Sequence, residues 1–397
     1  MANDVFVAGL GCISALGYGV EKQIESLVSG KSGIVPLTLF ETMHEVVAGE
    51  VALSNTELRE MLKLSAGKEY SRTTLLGLAA AKEALEDSGL NPSEHRIGLI
   101  SATSVGGMDI SELFYREYLP DNGRGRLRQL TGHDCGASTQ FIYDHLGLNS
   151  FCTTINTACS SANNAIMLGS RMIKAGMVDA VIAGGTDSLC RFTVNGFSSL
   201  GILDSKYCRP FDATREGLNL GEGAGYLLLV SDKLKSAKRY SRVAGYSNTN
   251  DAFHQTASSA SGEGAYMAMS GALEMSHLDK SEIGYINVHG TGTPNNDSSE
   301  ATALKRLFGE NIPPYSSTKG FTGHTLGAAG GIESVFTVLS IYGGYIWPNL
   351  NFSERMEECD VPPQTSVERG VEIRSAMTNS FGFGGNCTTL IFDKVRL

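Results

Sequence analysis

Cys159, in the stretch INTACSSANNAIMLG, stands between a strand-like run and a helix-like run. A thiol placed there would meet the free N–H groups and positive dipole end of the helix, which stabilise a thiolate and lower its pKa. Its neighbours Ala158, Ser160, Ser161 and Ala162 are small enough for a sharp strand–turn–helix connection that leaves a nucleophile accessible. The plain alternative is a small buried cysteine. His289 follows an apolar run in NVHGTGTPNND, with Thr291, Thr293 and Asp297 close behind. A histidine at the carboxyl end of a strand is where α/β sites lie, although a structural histidine bonded to backbone fits equally. SSTKGFTGHTLGAAGG brings Lys319, Thr322 and His324 ahead of a small-residue helix. Its Gly and Lys order is wrong for a phosphate-binding loop, and Lys319 alone could be a solvated surface charge. In NSFGFGGN, Asn379 to Asn386, glycines let backbone N–H groups approach a ligand, while Phe381 and Phe383 could guard an apolar channel. Glycine-rich strand ends are also often mere bulges.

These residues need elements to hold them, and the chain alternates strand-like and helix-like runs throughout, the pattern of an α/β protein. DVFVAGLG, RIGLISAT, CTTINTA, DAVIAGGTDS and GAGYLLLVS read as strands of a first half, with SRTTLLGLAAAKEALEDSGL and SANNAIMLGSRMIKAG as helices. From about Tyr246 the rhythm restarts: a helix at GEGAYMAMSGALEMSHL, a strand at IGYINVHG, a helix at SSEATALKRLFG, a strand at PPYSSTK, a helix at GGIESVFTVLSIYG and a closing strand pair. This order suggests a duplicated fold with halves 1–245 and 246–397, the cysteine in the first and both histidines in the second. GLNLGEGAGYLLL, with Gly221, Gly223 and Gly225, imitates a dinucleotide loop. A strand follows its glycines where a helix is required, so it reads as structural.

Bulk properties narrow the class. The 397 residues can bury a large core, and 42% hydrophobic with 19% charged residues is globular composition. A net charge of −10 disfavours non-specific nucleic-acid binding. The start MANDVFVAGLGC carries Asp4 and no basic leader, and the apolar runs read as too short to span a bilayer. Eight cysteines without CxxC pairs indicate neither a zinc site nor a disulfide framework. The expectation is a cytoplasmic protein with no membrane or nucleic-acid partner, in which the glycosylation-like Asn351 and Asn386 are chance matches.

Together VAGLGCISALG, TACSS, AGGTDS, RPFDATREGLNLGEGAG, HGTGTPNND, STKGFTGHTLGAAGG and NSFGFGG resemble the decarboxylating β-ketoacyl-[acyl-carrier-protein] synthases, in the family's order along nearly the whole chain. The resemblance implies a thiolase-like fold, two similar α/β halves in a five-layered α-β-α-β-α sandwich. It also implies a homodimer, or a heterodimer with a related subunit, and acyl carrier protein as partner. No cofactor or metal is implied, since substrates ride on the carrier's phosphopantetheine. By motif position Cys159 is the nucleophile, His289 and His324 the paired histidines, Lys319 the nearby lysine tuning the charge around His324, and Glu333 that lysine's acidic partner. Thr291 and Thr293 would hold the phosphopantetheine arm. Phe383 would be the gate whose N–H joins that of Cys159 in an oxyanion hole, Phe381 stands in the same turn, and Phe197 lies near the acyl pocket.

The implied reaction attaches an acyl group to Cys159, decarboxylates malonyl-carrier, and joins the two as 3-oxoacyl-carrier. Departures concern specificity. The family's GFGGTN is GFGGNC here, placing Asn386 and Cys387 after the glycines, and the link GILDSKYC is short. In the pocket-lining segment beginning at Met108, Ser111 replaces a bulkier apolar residue. This admits longer or stiffer acyl chains and leaves a polyketide or polyene pathway open beside fatty-acid elongation. Arg124, Arg126 and Arg128, with Lys63, Lys68 and Arg72, are candidate docking charges for an acidic carrier, or simply solvated surface. The rivals are a non-catalytic chain-length-factor-like subunit, which would lack the active cysteine, and an apolar-ligand binding protein.

Overall fold

The computed structural model describes residues 4–234 and 238–395. Ten strands carry the architecture: β1 Val5–Ser14, β2 Ile97–Ala102, β3 Cys152–Ile155, β4 Ala180–Asp187, β5 Gly223–Ser231, β6 Ser241–Asn250, β7 Ile283–Asn287, β8 Tyr315–Ser316, β9 Ser375–Phe381 and β10 Asn386–Asp393. The helices that matter to the site are α1 Arg72–Ser88, α2 Met108–Tyr118, α3 Cys135–His145, α4 Ser161–Lys174, α5 Arg191–Ser199, α6 Glu263–Ser276, α7 Pro294–Phe308 and α8 Ala329–Gly343.

The strand order is β3-β2-β4-β5-β1 in one half and β8-β7-β9-β10-β6 in the other, the same sequence of positions twice. The directions repeat as well. β2 runs parallel to β3 and β4, and β7 parallel to β8 and β9, while the last two strands of each half are antiparallel. The halves join where β1 pairs with β6 through Phe6–Arg242 and Val7–Ser241. The second half therefore begins with β6, and residue 246 lies inside that strand rather than at the division.

Layering follows from which faces are apolar. α1 covers the outer face of β1, β4 and β5, α6 covers that of β6 and β10 with α7 beside it, and α4 and α8 are sandwiched between the half-sheets. That is a five-layered thiolase-like fold. α8 is buried from Ala329 to Ile341, as an all-round apolar helix must be. Leu326–Gly343 is apolar enough in length and composition to cross a membrane, with mean hydropathy 1.3, but 89% of it is buried inside the fold. The central layer is tight because glycines face one another. A Cβ on Gly225 of β5 would lie 2.4 Å from the Ile332 nitrogen, and one on Gly331 of α8 would lie 2.3 Å from the Gly225 oxygen.

Duplication puts equivalent loops on one side of the molecule. Cys159 lies between β3 and α4, and Lys319 and His324 lie between β8 and α8, the matching connection of the other half. His289 follows β7, and Phe383 sits in the turn between β9 and β10.

Candidate active site

α4 starts at Ser161 with Ser160 as its N-cap, so Cys159 stands directly before the cap, at the strand-to-helix turn its sequence position implies. The turn is strained: Ala158 has φ 54°, a left-handed conformation that costs a non-glycine residue about 1 kcal/mol or more. The Ser161 hydroxyl holds it, donating to the Ala158 carbonyl at 2.5 Å while accepting from the Thr157 N–H at 2.8 Å. Cys159 is 6% exposed. Burial pushes its thiol up to about 11, against the opposing pull of the Lys319 charge and of the backbone N–H groups of Phe383 and Cys159 itself. The resting sulfur is therefore a neutral thiol. The thiolate expected from the helix end is not met, because loss of water outweighs the dipole and the charge.

The backbone N–H groups of Phe383 and of Cys159 itself both act to lower the thiol's pKa, and both residues line the same cavity. Two backbone donors converging there form a ready site for negative charge. The Phe383 ring, half-buried, stacks on Phe197 of α5 with centroids 5.8 Å apart at 18°.

The imidazoles of His289 and His324 meet edge to face, 5.3 Å between centroids and 87° between planes. Both are 2% exposed. Burial and the Lys319 charge hold both well below the usual histidine range, with each other's proximity adding to the effect on His289. They are neutral at pH 7. Lys319 is 1% exposed, which excludes the solvated-charge reading. Its ammonium donates to the His289 carbonyl at 2.6 Å, pairs with Glu333, and lies 3.4 Å from His289 Nδ1. An ammonium has three N–H bonds, and these three partners account for them. Nδ1 of His289 is thus an acceptor, and the proton of the neutral ring sits on Nε2. The lysine's contacts are with His289, and its charge acts on both rings, on His324 as expected and on His289 besides. Burial raises Glu333 to about 7 against the Lys319 charge.

The backbone around each histidine is clamped. Glu300 of α7 accepts the N–H of His289 at 2.9 Å, that of Gly290 at 2.8 Å and Asn379 Nδ2 at 3.1 Å. Asp297, one turn earlier, accepts from the Phe211 N–H at 2.8 Å. Glu300 is missed from sequence, although its i,i+3 spacing from Asp297 on a helix is the signal that could have revealed it. His324 is held by its N–H to the Asn219 carbonyl at 2.7 Å and by the Gly221 N–H to its own carbonyl at 2.9 Å. A Cβ on Gly221 would lie 2.1 Å from the Thr322 oxygen. The glycine run that imitates a dinucleotide loop thus lets the His324 loop approach, a structural role.

One cavity of about 340 Å³ is lined by Cys159, His289, His324, Thr291, Thr293 and Phe383, together with Phe381 and Phe197. Thr291 and Thr293 are joined through their hydroxyls at 2.8 Å. The sequence missed the loop of His254, Gln255 and Thr256, which also lines it. Ser111 does not line it. Its buried hydroxyl donates to the Gly107 carbonyl at 3.1 Å and bonds His133 Nδ1 at 2.8 Å. Met108 packs on the apolar cluster shared with Phe197, Ile202 and Leu218. Arg72 is 2% exposed and ion-paired to buried Glu222 at 2.6 Å, so it cannot dock a partner. Arg124, Arg126, Arg128, Lys63 and Lys68 are exposed, the first two near Asp121 and Glu69. Among the described residues, no group of three or more His, Cys, Asp or Glu could hold a metal ion.

Comparison with known proteins adds the remaining finding. Residues 2–234 match the N-terminal domain of β-ketoacyl synthases and residues 240–353 their C-terminal domain. The chain is 33% identical over 408 aligned residues to 3-oxoacyl-[acyl-carrier-protein] synthase 2 of Staphylococcus aureus (strain COL), covering 98% of each. It superposes on the ishigamide ketosynthase/chain length factor with TM-score 0.94 and 28% identity, covering 100% of both chains. Against a type II polyketide ketosynthase bound to its acyl-carrier protein the TM-score is 0.90, with 26% identity over 100% of both chains.

Proposed function

The chain belongs to the β-ketoacyl synthase family, and from that premise we propose that it is a 3-oxoacyl-[acyl-carrier-protein] synthase that condenses an acyl group held on Cys159 with malonyl-carrier. The observation that carries this is the convergence on one cavity of a thiol, two backbone donors acting on it, and two neutral imidazoles. In the first half-reaction the sulfur of Cys159 forms a bond to the acyl carbonyl carbon, and the carbonyl oxygen takes up charge beside the N–H groups of Cys159 and Phe383. The carrier's sulfur leaves with the thiol proton. His324 is the group free to relay that proton, because no protein partner occupies its Nδ1 among the described residues.

In the second half-reaction malonyl-carrier loses carbon dioxide, and its electron pair passes into an enolate. His289 Nε2–H, fixed by Lys319 at the opposite nitrogen, donates to the enolate oxygen, and His324 supplies a second donor. Neutral imidazoles suit this role, since they donate without a positive charge that burial would penalise. The enolate carbon then attacks the acyl-cysteine carbonyl, the carbon–sulfur bond breaks, and the departing Cys159 thiolate takes up one proton from solvent. His289→Ala should lower malonyl-carrier decarboxylation about a hundredfold or more while leaving acylation of Cys159 within a few-fold. Loss of acylation with decarboxylation intact would refute this division of roles.

The Staphylococcus relative is named a 3-oxoacyl-[acyl-carrier-protein] synthase and one solved neighbour is a type II PKS ketosynthase, so fatty-acid elongation and polyketide assembly both fit the reading. An intact Cys159 beside both histidines favours a catalytic subunit over a chain-length-factor-like one. The carrier would dock through exposed cations such as Arg124, Arg126 and Arg128, in the cytoplasm, without a cofactor. A second copy would cover β3, an edge strand preceded directly by Phe151, which is 40% exposed. Sedimentation should then give twice the 42.2 kDa chain mass; a monomer at micromolar concentration would contradict it.

A further inference from the structure

The turn that carries Phe383 and the turn that carries Cys159 come from opposite halves of the molecule, yet their N–H groups must stand at one sulfur. Backbone bonds fix the far side of the Phe383 turn. The Gly384 N–H donates to the Gln255 carbonyl at 2.7 Å, and the Asp251 N–H to the Gly385 carbonyl at 2.8 Å. On the near side the link is a side chain, Asn386, at the position where this chain departs from the threonine of the family pattern. Its Oδ1 accepts from Ser160 Oγ at 2.7 Å, Asn164 Nδ2 at 2.9 Å and Asn248 Nδ2 at 2.8 Å. Ser160 follows the nucleophile directly, is fully buried, and caps α4; Asn164 lies one turn further along that helix.

We propose that Asn386 is a positioning residue that sets the spacing of the two oxyanion donors by tying the Phe383 turn to the Cys159 turn through Ser160. Ser160 has one hydroxyl proton and two acceptors at 2.7 Å, Asn386 Oδ1 and the Thr157 carbonyl, so it donates to one at a time. When it donates to Asn386 the two turns are joined. When it donates to Thr157 the Cys159 turn closes on itself, and on that side Asn386 keeps only the bond from Asn164, one turn further along α4. Threonine at position 386 would be shorter by one heavy atom and would offer a hydroxyl in place of the amide oxygen that here gathers Ser160, Asn164 and Asn248, with the Thr388 hydroxyl at 3.4 Å. The assignment rests on the condensing-enzyme reading, because only a reaction through a tetrahedral oxyanion depends on that spacing.

Two reactions of the same thiol separate the alternatives. Acylation of Cys159 by an acyl-carrier thioester passes through an oxyanion; alkylation by iodoacetamide displaces iodide and does not. In the full-length chain, Asn386→Leu should slow acylation about ten- to a hundredfold, the scale of a donor misplaced by up to an ångström. Alkylation at the same pH should stay within a few-fold. Ser160→Ala should act in the same direction, and the two changes combined should cost little more than either alone. Asn386→Thr should recover part of the acylation rate. Equal losses in acylation and alkylation, no loss in either, or fully additive effects would overturn the proposal. If Asn386→Leu does not fold, Ser160→Ala carries the same comparison. Absence of acylation in the unaltered chain, with alkylation normal, would instead sink the functional reading itself.

Discussion

At the residue scale, the state of Cys159 before substrate arrives is the sharpest consequence of burial. A buried acid is held in its neutral form, so its pKa rises; that of Cys159 rises to about 11 despite the nearby Lys319 charge. Below that value the thiolate fraction grows about tenfold per pH unit, and thiolate is the reactive form. Iodoacetamide labelling of Cys159 should therefore quicken about tenfold from pH 7 to 8 and again from 8 to 9, followed by peptide mass mapping. A rate that levels off near pH 7 would mean a thiolate already formed at rest. The identities of Cys159, His289, His324 and Lys319 were legible because each stands in a run whose neighbours are constrained. Their protonation states were not, since desolvation depends on residues distant in sequence. Ser111 was misread for the same reason: its partner His133 lies on a different segment.

At the element scale, the strongly periodic segments were readable, including α1, α4, α6 and β5. The strand β6, SRVAGYSNTN, was missed because its second half is polar, and what makes it a strand is pairing with β10 and β1. α2, α3 and α5 were passed over as well; at 11, 11 and 9 residues they are short, and an apolar stripe over so few turns is hard to tell from a loop in sequence. The contact between β5 and α8 gives a direct test of how the central layer positions His324. Gly225→Ala would place a methyl 2.4 Å from the Ile332 nitrogen, a clash with backbone that flexible side chains cannot relieve. It should destabilise the chain by about 1–3 kcal/mol in denaturant titration, with activity falling in parallel because α8 carries Glu333 and follows the His324 loop. An unchanged midpoint would show that the half-sheets separate more easily than their packing implies.

At the scale of the whole molecule, duplication explains why chemistry from distant parts of the sequence meets. Equivalent connections in the two halves deliver a cysteine from one and a histidine from the other to facing ends of the two central helices. The repeat of strand order was suggested by the alternation of elements, but its division between β5 and β6 was not, because no glycine- or proline-rich linker marks it. Bringing these groups together serves one purpose, to hold an acyl group on one sulfur while a carbanion forms beside it. Intact-protein mass spectrometry tests this most directly. Incubation with an acyl-carrier thioester should add one acyl mass, mapped to Cys159, and malonyl-carrier should then discharge it as 3-oxoacyl-carrier, with neither step in Cys159→Ala. Acyl label on any other residue, or an acyl-cysteine that malonyl-carrier cannot discharge, would contradict it.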